Sequence, residues 1–533
     1  MWHLTWALSL VWVITGLVGH QPWKPDEAYS MGLAHSIAQG GSWVIPTLAG
    51  EPFMEKPPVF YLVAAASGKL LSHWLPFHDG ARVAAGLFMV LTLSCVAWAA
   101  RIWVGSGSGA VLALIACVGL LVHGHLLLTD LGLLSGFALA YLGYALFELR
   151  PRLGALTLGT GVGLGFLTKG LLEPGTMAIV ALGLPITFRT WRSIAYLRFL
   201  LHAALWSAPW IAVWPLLLWH NSPKLFIEWF WVNNFGRFLG FAGLGPKAPS
   251  WAYLRILPWF ALPALPFAVW VCWKLRHAMH ESRALQVPLL GFGATMLVLT
   301  TAHDARALYA LPLLIPTVFL AAQIRDTISP HASRVLTAAG VITYAAAGSA
   351  VWVAWIALRT GWPPAIAEWM SHQQPGFHLG EDWDNFFLAA TFSLAWVALL
   401  LRTRRDPQAP LFAWAGGMTL VWTLCTTLLL GWADAGKSYR AMMVDMSHHL
   451  PTPLTCLATR ALGEPQRALV HYYLGTFPHR TEVVTTEQCN ALLVQIRAVD
   501  GEKVPPVPKG WSLCWQGARP GDEKESFLLY LRE

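Results

Sequence analysis

Residues 23–61 read WKPDEAYSMGLAHSIAQGGSWVIPTLAGEPFMEKPPVFY, a charged stretch in a chain that is mostly apolar. Its ionisable residues include Lys24, Asp26, Glu27, Glu51, Glu55 and Lys56. Charged groups beside apolar spans are energetically expensive and usually functional. The apolar segment that begins at residue 59 is short, and whether it crosses a membrane decides the side on which every later loop lies.

Composition indicates a polytopic membrane protein. The chain has 533 residues, of which 56% are hydrophobic and 12% are charged, and it contains 30 Trp. A soluble protein does not have this balance. The formal net charge of +8 is no sign of nucleic-acid binding, because most Lys and Arg lie in short loops between apolar spans.

Hydropathy predicts about 13 transmembrane helices, each long enough to cross ~30 Å of hydrocarbon. The predicted spans are 4–20, 82–101, 109–127, 131–148, 153–168, 174–189, 197–219, 252–273, 286–302, 307–323, 335–358, 386–401 and 411–432. The first is interpreted as a retained helix rather than a signal peptide, since no Lys or Arg precedes it. Residues 59–71 are shorter and contain Lys69, which favours an interfacial helix.

Charge bias then orients the chain. If residues 59–71 do not cross, one side receives a large excess of basic residues, at Arg101, Arg150, Arg152, Arg189, Arg192, Arg198, Lys274, Arg276, Arg283, Arg325, Arg334, Arg402, Arg404 and Arg405. The positive-inside rule makes this side the cytoplasm of a bacterial inner membrane, with a cytoplasmic N-terminus. The loop 21–81 and the tail from residue 433 are then periplasmic.

The more polar sequence of the tail predicts a separate domain. The chain then divides into an all-α membrane domain, 1–433, and a small periplasmic α/β domain, 434–533. Residues 437–450 have helical spacing. Residues 468–473, 482–485, 491–496 and 527–531 are typical of short strands or core helix turns. Cys456, Cys489 and Cys514 fall here, so one disulfide with one thiol left over is expected in an oxidising compartment.

Within the opening stretch, two charged pairs stand out. Asp26 and Glu27 follow Lys24, and Glu55 and Lys56 precede Pro57-Pro58, which fixes the backbone before the interfacial helix. A lone acid in such a loop is as often a solvated charge as a functional one. Two pairs in one loop favour a functional site.

The order of these residues resembles the GT-C membrane glycosyltransferases, near the lipid A aminoarabinose transferases and the bacterial relatives of protein O-mannosyltransferases. The resemblance rests on Asp-Glu after the first helix, then the G-x-W-x-x-P-x-L-x-G-x-P run that starts at Gly41, then Glu55-Lys56-Pro57-Pro58. It extends to Thr129-Asp130, to Thr168-Lys169-Gly170, to the N-F-x-R-F run 234–238, and to Arg306 with Tyr309.

This resemblance implies a sugar donor linked through phosphate to a polyprenol, such as undecaprenol, and a lipid (lipid A-like), glycan or protein acceptor. Donor-phosphate contacts are then expected from Lys56, Lys169, Arg237, Arg306 and Tyr309. Fixed cations stabilise best the charge that grows on a leaving phosphate. For Arg237 and Arg306 the alternative is an interfacial anchor or a lipid headgroup contact.

The acids are assigned catalytic or positioning roles. Asp26 is expected to be the general base for an acceptor hydroxyl, or to orient the acceptor if that acceptor is an ionised phosphate. Glu27 and Asp130 join it as catalytic candidates, and Glu55 and Tyr61 are expected to position substrate. The alternative for Glu27, Glu55 and Asp130 is a structural salt bridge that holds the loop to the helices.

Several questions stay open at this stage. The residues around Tyr29 and Phe53 depart from the aminoarabinose transferase pattern, which leaves the sugar and the acceptor unassigned. No cofactor is required, although GT-C enzymes differ in their use of a divalent metal, and no metal-ligand spacing is present. A transporter or flippase for a lipid-linked glycan is the alternative function, but the chain has no internal repeat.

Overall fold

The structure is a computed structural model that describes residues 1–245, 249, 251–380, 383–483, 488–497 and 509–532. The first half of the membrane part consists of α1 (Trp2–Ile14), α2 (Asp26–Ala38), α3 (Val59–Leu71), α4 (Phe77–Val104), α5 (Ser108–Ile115), α6 (Val118–Leu121), α7 (Thr129–Leu146), α8 (Pro151–Lys169), α9 (Leu172–Thr187), α10 (Ile194–Asn221), α11 (Pro223–Ile227) and α12 (Arg237–Leu239). A π-helical segment, Glu228–Gly236, joins the last two.

The second half continues with α13 (Ala252–Phe260), α14 (Ala264–Lys274), α15 (Arg283–Thr301), α16 (Leu311–Ala321), α17 (Ile324–Thr327), α18 (Pro330–Thr360), α19 (Pro364–Gln373), α20 (Asp384–Thr403), α21 (Ala409–Leu428) and α22 (Leu430–Lys437). Short 3-10 turns occupy His123–His125, Arg189–Trp191, Arg276–Ala278 and Ala307–Ala310.

Seven of the described helices are long and apolar enough to cross a membrane, namely α4, α7, α10, α15, α18, α20 and α21. The number rises to nine if two bent pairs each count as one span: Ser108–Ile115 with Val118–His125 bends by 77°, and α13 with α14 by 97°. Every predicted apolar stretch contains helix, but α1, α9 and α16 are shorter than the seven long helices. The polytopic architecture is therefore confirmed, and the count of about 13 spans stays a prediction.

The loop before α3 is ordered by local structure at both ends. α2 begins at Asp26, and a two-stranded antiparallel ribbon, β1 (Thr47–Leu48) and β2 (Glu51–Pro52), precedes the Pro pair. α3 has 13 residues, so it is only ~20 Å long at 1.5 Å per residue. That length is too short for the hydrocarbon core, and α3 packs along α4 and α2 with Phe60 and Tyr61 buried.

The tail forms a small α/β unit, as expected. Its helices are α23 (Arg440–Ser447) and α24 (Glu464–Leu474), and its strands are β3 (Leu457–Arg460), β4 (Pro478–Arg480), β5 (Ala491–Arg497), β6 (Trp511–Gly517) and β7 (Glu525–Arg532). The sheet order is β4-β3-β5-β7-β6. β3 pairs in parallel with β4 and β5, whereas β7 pairs antiparallel with β5 and β6.

The structure decides between the alternatives predicted for parts of the tail. Residues 468–473, predicted as a short strand or a core helix turn, are part of helix α24, because Gly463 and Pro465 start a helix whose inner face buries Ala468, Leu469 and Val470. Of residues 482–485, given the same two alternatives, 482–483 lie in a turn, and 484–485 lie outside the described residues. The disulfide joins Cys456 to Cys489, which leaves Cys514 as an exposed free thiol.

The tail packs directly on the charged loop. α24 lies against α2, where Gly32 faces Ala468 so closely that an added Cβ would come within 2.8 Å of the alanine Cβ. Arg467 donates to Glu51 Oε2 at 2.7 Å, and Arg480 donates to the same oxygen at 3.2 Å. The α/β unit therefore forms a cover over residues 26–52.

A buried ion-pair network fixes the start of this loop to the membrane helices. Arg82 of α4 is 1% exposed and donates to Glu27 Oε1 at 2.7 Å and to Asp79 Oδ1 at 2.6 Å. Its remaining donors reach the backbone carbonyls of Leu17 and His20 at 3.2 and 3.0 Å. Such a network stabilises only when every charged group is paired, as here.

We expect Arg82→Gln to destabilise the protein by about 3–5 kcal/mol, because it leaves two carboxylates buried without their counter-ion. Thermal unfolding of the detergent-purified protein measures this. The matched control is Arg101→Gln, an exposed arginine near the other end of α4. Equal melting temperatures for the two variants would contradict a central role for the network.

Candidate active site

Asp26 lies at the centre of a hydrogen-bonded chain that links three predicted residues. Arg306 pairs with both carboxylate oxygens, at 3.0 Å for Nη1 to Oδ1 and in closer contact at Oδ2. Tyr29 donates its hydroxyl to Asp26 Oδ1 at 2.7 Å, and Lys56 Nζ donates to the Tyr29 oxygen at 2.6 Å. Tyr29 therefore connects the acid to the buried lysine.

The surroundings of Asp26 keep it ionised. Burial by itself would raise its pKa, but the hydrogen bond from Arg306, the charge of Lys56 and the hydrogen bond from Tyr29 hold the pKa at about 2. A carboxylate with that pKa is a weak base near neutral pH. Its geometry suits a group that orients Arg306 and Tyr29.

Lys56 is buried next to this chain. Burial lowers the pKa of Lys56, the nearby charge of Lys169 lowers it further, and Glu55, Asp130 and Asp26 act in the opposite direction. Among the described residues no carboxylate lies within 4 Å of Lys56 Nζ, which instead contacts the Tyr29 hydroxyl and ring face. Its ammonium is therefore the least neutralised of the buried cations here.

Lys169 and Asp130 form a second pair, held by the ends of α7 and α8. Asp130 lies in the first turn of α7 and Lys169 is the last residue of α8, and Nζ donates to Oδ1 at 2.6 Å. Gly170 ends α8 with a φ of +81°, a conformation that side-chain-bearing residues rarely adopt. Lys169 Nζ also lies 4.6 Å from the centroid of the Tyr309 ring.

Arg237 is the first residue of α12 and directly follows the π-helical segment, a geometry common near functional sites. Its Nη2 donates to Glu55 Oε1 at 3.2 Å, and its Nε lies 3.7 Å from Asp304 Oδ2. Asn234, three residues earlier, accepts from the backbone N–H of Leu171 at 3.3 Å. These contacts join the turn after α8 to the loop before α3.

Lys56, Lys169 and Arg237 line one cavity of about 330 Å³, which has two chemically different ends. The polar end contains Glu55, Lys56, Lys169, Arg237, Asp304 and Tyr309. The apolar end is formed by α9 and α15, with Leu172, Ile179 and Val298 among its lining residues. The cavity therefore fits a ligand with an anionic head and a hydrocarbon tail; we call it the head-and-tail cavity.

A second cavity, of about 490 Å³, is lined by the Asp26–Arg306 pair. Its basic residues are Lys24, Arg306, Lys437 and Arg519, and its acids are Asp26 and Glu27. Lys24 pairs with Glu525, and Arg519 pairs with Asp522. Lys437 has no carboxylate within 4 Å among the described residues, and its Nζ lies 4.2 Å from the Trp23 ring centroid. We call this the basic cavity.

The predicted residues thus separate into groups. The structure brings Lys56, Lys169, Arg237, Tyr309 and Glu55 to the head-and-tail cavity, with Asp130 bound to its lysine. Asp26 and Arg306 line the basic cavity, and Tyr29 links Asp26 to Lys56 of the head-and-tail cavity. Glu27 is 2% exposed and engaged by Arg82, and Tyr61 is fully buried with its hydroxyl unpartnered.

Sequence reasoning missed several contributors. Tyr29 lies one helical turn after Asp26, and that spacing could have identified it. Asp304, Lys437 and Arg519 join the site from distant parts of the chain, for which the sequence carries no local signal. Within the described residues no group of three His, Cys, Asp or Glu side chains could hold a metal ion.

Known proteins that are similar in sequence include several aminoarabinose arabinosyl transferases. An undecaprenyl phosphate-α-4-amino-4-deoxy-L-arabinose arabinosyl transferase of Edwardsiella ictaluri is 30% identical over 360 residues, which are 64% of this chain and 62% of that protein. A protein of the same name from Serratia proteamaculans is 27% identical over 81% of this chain and 76% of its own length. The chain spans less than two thirds of the first relative. No protein-family model matches the chain.

Solved structures agree in fold. The ArnT crystal structure from Cupriavidus metallidurans bound to undecaprenyl phosphate aligns with a TM-score of 0.70 at 17% identity, over 99% of this chain and 97% of that one. The apo form of the same ArnT aligns with a TM-score of 0.72 at 16% identity, over the same shares of the two chains. The chain therefore has the fold of the ArnT structures and is related in sequence to the aminoarabinose arabinosyl transferases, which confirms the resemblance seen in residues 26–61.

Proposed function

We propose that the protein is a membrane glycosyltransferase that moves a sugar from a polyprenyl-phosphate donor to an acceptor at the membrane surface. The observation that carries this proposal is the head-and-tail cavity, in which buried cations meet an apolar wall. A polyprenyl phosphate has the matching chemistry, a phosphate joined to a long hydrocarbon chain. The printed names of the relatives, which include undecaprenyl phosphate, support the same donor.

In this proposal the donor phosphate lies beside Lys56, with Lys169 and Arg237 on its flanks. Lys56 is the best anchor because it forms no ion pair among the described residues, while Lys169 and Arg237 are held in place by Asp130, Glu55 and Asp304. The polyprenyl chain then follows the wall formed by α9 and α15. Pairing with acids fixes the positions of the flanking cations before the donor arrives.

The reaction breaks the bond between the anomeric carbon and the donor phosphate oxygen. The electron pair stays on that oxygen, so polyprenyl phosphate leaves with more negative charge, while the acceptor oxygen forms the new bond to the carbon. Fixed cations stabilise this growing charge more than they stabilise the ground state. Lys56, Lys169 and Arg237 therefore act on the leaving group.

Asp26 has an orienting role in this scheme. Its pKa of about 2 makes it a weak general base, which favours the alternative of an acceptor that is already ionised. A phosphate monoester meets that condition, since its second pKa is near 6. Asp26 then holds Arg306 toward the acceptor and, through Tyr29, holds Lys56 toward the donor.

The basic cavity is the proposed acceptor site. It adjoins Arg306 and contributes Lys24, Lys437 and Arg519 around an opening that apolar residues also line, which suits a phosphorylated lipid. Lipid A is the acceptor that the family resemblance implies. The sugar proposed from the relatives is 4-amino-4-deoxy-L-arabinose, a pentose.

The same proposal includes the orientation of the chain. We place residues 1–433 in the inner membrane with about 13 crossings and a cytoplasmic N-terminus, and residues 434–533 in the periplasm. The charge bias of the loops supports it. The flippase alternative gains no support from the transferase names of the relatives.

The first test is donor turnover. We expect Lys56→Ala to lower kcat/KM for polyprenyl-phosphate sugar by about 100-fold or more, because it removes a cation from the leaving phosphate. Reconstituted protein is assayed for release of polyprenyl phosphate. Lys69→Ala, an exposed lysine on α3, is the matched control and should retain wild-type turnover. Unchanged turnover in Lys56→Ala would contradict the donor site.

The second test concerns the ionisation of Asp26. Since its pKa in the folded protein is about 2, below the ordinary 3.8, the carboxylate is charged at every pH above about 4. We expect Asp26→Asn to lower the rate by about 100-fold through misplaced partners, by the same factor between pH 5 and 8. A limb of the wild-type pH–rate profile in that range that vanishes only in Asp26→Asn would instead identify Asp26 as the base.

The third test separates the two cavities. Lys437→Gln is expected to raise the KM for a phosphorylated lipid acceptor about tenfold while it leaves the KM for the donor unchanged, because Lys437 lines the basic cavity and is not among the lining residues of the head-and-tail cavity. Lys524→Gln, at an exposed nearby turn, is the control. A rise in donor KM alone would contradict the assignment of the acceptor to this cavity.

A further inference from the structure

Two long helices on the lipid-facing side of the fold, α18 and α20, pack on each other near their loop end. There, Trp352 and Trp355 of α18 each pack on Phe386 of α20 with ring centroids 5.6 Å apart, and the Trp352 Nε1 donates to Ser393 at 3.2 Å. Toward the other end both helices pack on α21, where Trp414 Nε1 donates to the Leu336 carbonyl of α18 at 3.1 Å and Gly416 lies against Leu399 of α20. The helices therefore diverge and leave a groove.

This groove is a cavity of about 930 Å³. Its walls are apolar and open to the surroundings: Ile342 is 69% exposed, Val397 is 47% exposed and Leu401 is 62% exposed. Exposed aliphatic walls on membrane helices are suited to contact with acyl chains. The groove therefore differs from a water-filled surface cleft.

Basic residues form the rim of the groove, at Arg325, Arg334, Arg404 and Arg405. All are exposed. Arg325 has Asp326 at 3.4 Å, and Arg334 donates to a backbone carbonyl at 3.4 Å, whereas Arg404 and Arg405 form no ion pair among the described residues. The one acid that lines the groove, Asp406, accepts a hydrogen bond from the backbone N–H of Gln408.

The groove opens on the membrane face opposite to the active site. Asp79, near the loop, and Arg101 lie near opposite ends of α4, whose 28 residues span ~40 Å. Arg101 shares a neighbouring cavity with Arg325 and Asp406, which places the rim at the far end. The groove is thus separate from both cavities described above.

We propose that this groove binds an anionic phospholipid of the adjacent leaflet. Its phosphate is held by Arg404, Arg405 and Arg334, and its acyl chains lie along Ile342 and Leu401. Guanidinium groups bind phosphate oxygens with directed hydrogen bonds, and basic pockets between membrane helices are suited to acidic headgroups. A zwitterionic lipid would lose part of this attraction through its own ammonium group.

The positive-inside rule alone does not account for the four arginines at the rim of the groove. The positive-inside rule requires basic residues in the loops of this face, and Arg189 and Arg198, which are not among the lining residues of this groove, meet that requirement as well. By contrast, the four rim arginines come from three separate segments and meet around one opening with apolar walls. The convergence indicates a ligand rather than orientation only.

Native mass spectrometry of the purified full chain tests the proposal. Phosphatidylglycerol and phosphatidylethanolamine are titrated separately into the wild type, into Arg404→Gln/Arg405→Gln and into the charge-matched control Arg189→Gln/Arg198→Gln. We expect the wild type and the control to bind phosphatidylglycerol at least tenfold more tightly than phosphatidylethanolamine, and the groove variant to lose that preference.

Two results would overturn the proposal. One is equal affinity of the wild type for both lipids. The other is an equal loss of phosphatidylglycerol binding in both double variants, which would show a general effect of surface charge. Since all four substituted arginines are exposed, the melting temperatures without added lipid should match, which separates lost binding from lost folding.

Discussion

The buried guanidinium of Arg82 is the interaction on which the site depends. It binds Glu27, Asp79 and two backbone carbonyls, and so joins the end of α1, the start of α2 and the start of α4 in one network. A charge at this depth is tolerated only with complete pairing. Because Glu27 is held there, its neighbour Asp26 is directed the other way, toward Arg306 and Tyr29.

The cations of the site differ in whether a carboxylate pairs with them. Arg306, Arg237 and Lys169 each have a carboxylate partner, which reduces their net charge but fixes their positions. Lys56 has only a tyrosine hydroxyl and ring among the described residues. In the proposed active site these paired cations and the ammonium of Lys56 are arranged before an anion binds, so little reorganisation is needed when charge develops.

The α/β tail contacts the charged loop through ion pairs and hydrogen bonds. Lys24 pairs with Glu525 of β7, Glu51 accepts from Arg467 of α24, and Trp23 donates to Asp434 at 2.8 Å. These pairs lie along the whole loop. The tail therefore restrains the loop on one side while Arg82 of α4 restrains it on another, and the tail adds Lys437 and Arg519 to the basic cavity.

The sequence by itself determined the membrane class, the short α3 after the Pro pair, the α/β character of the tail and most cations of the head-and-tail cavity. These features follow from hydropathy, from residue order in short motifs and from charge bias, all of which are local. Only the tertiary structure decided which charges are paired. In the folded chain Glu27 binds Arg82, Tyr29 lies between Asp26 and Lys56, and Asp304 and Lys437 join the site. Ion pairs between distant segments depend on how the helices pack. They therefore leave no periodic signal in the sequence.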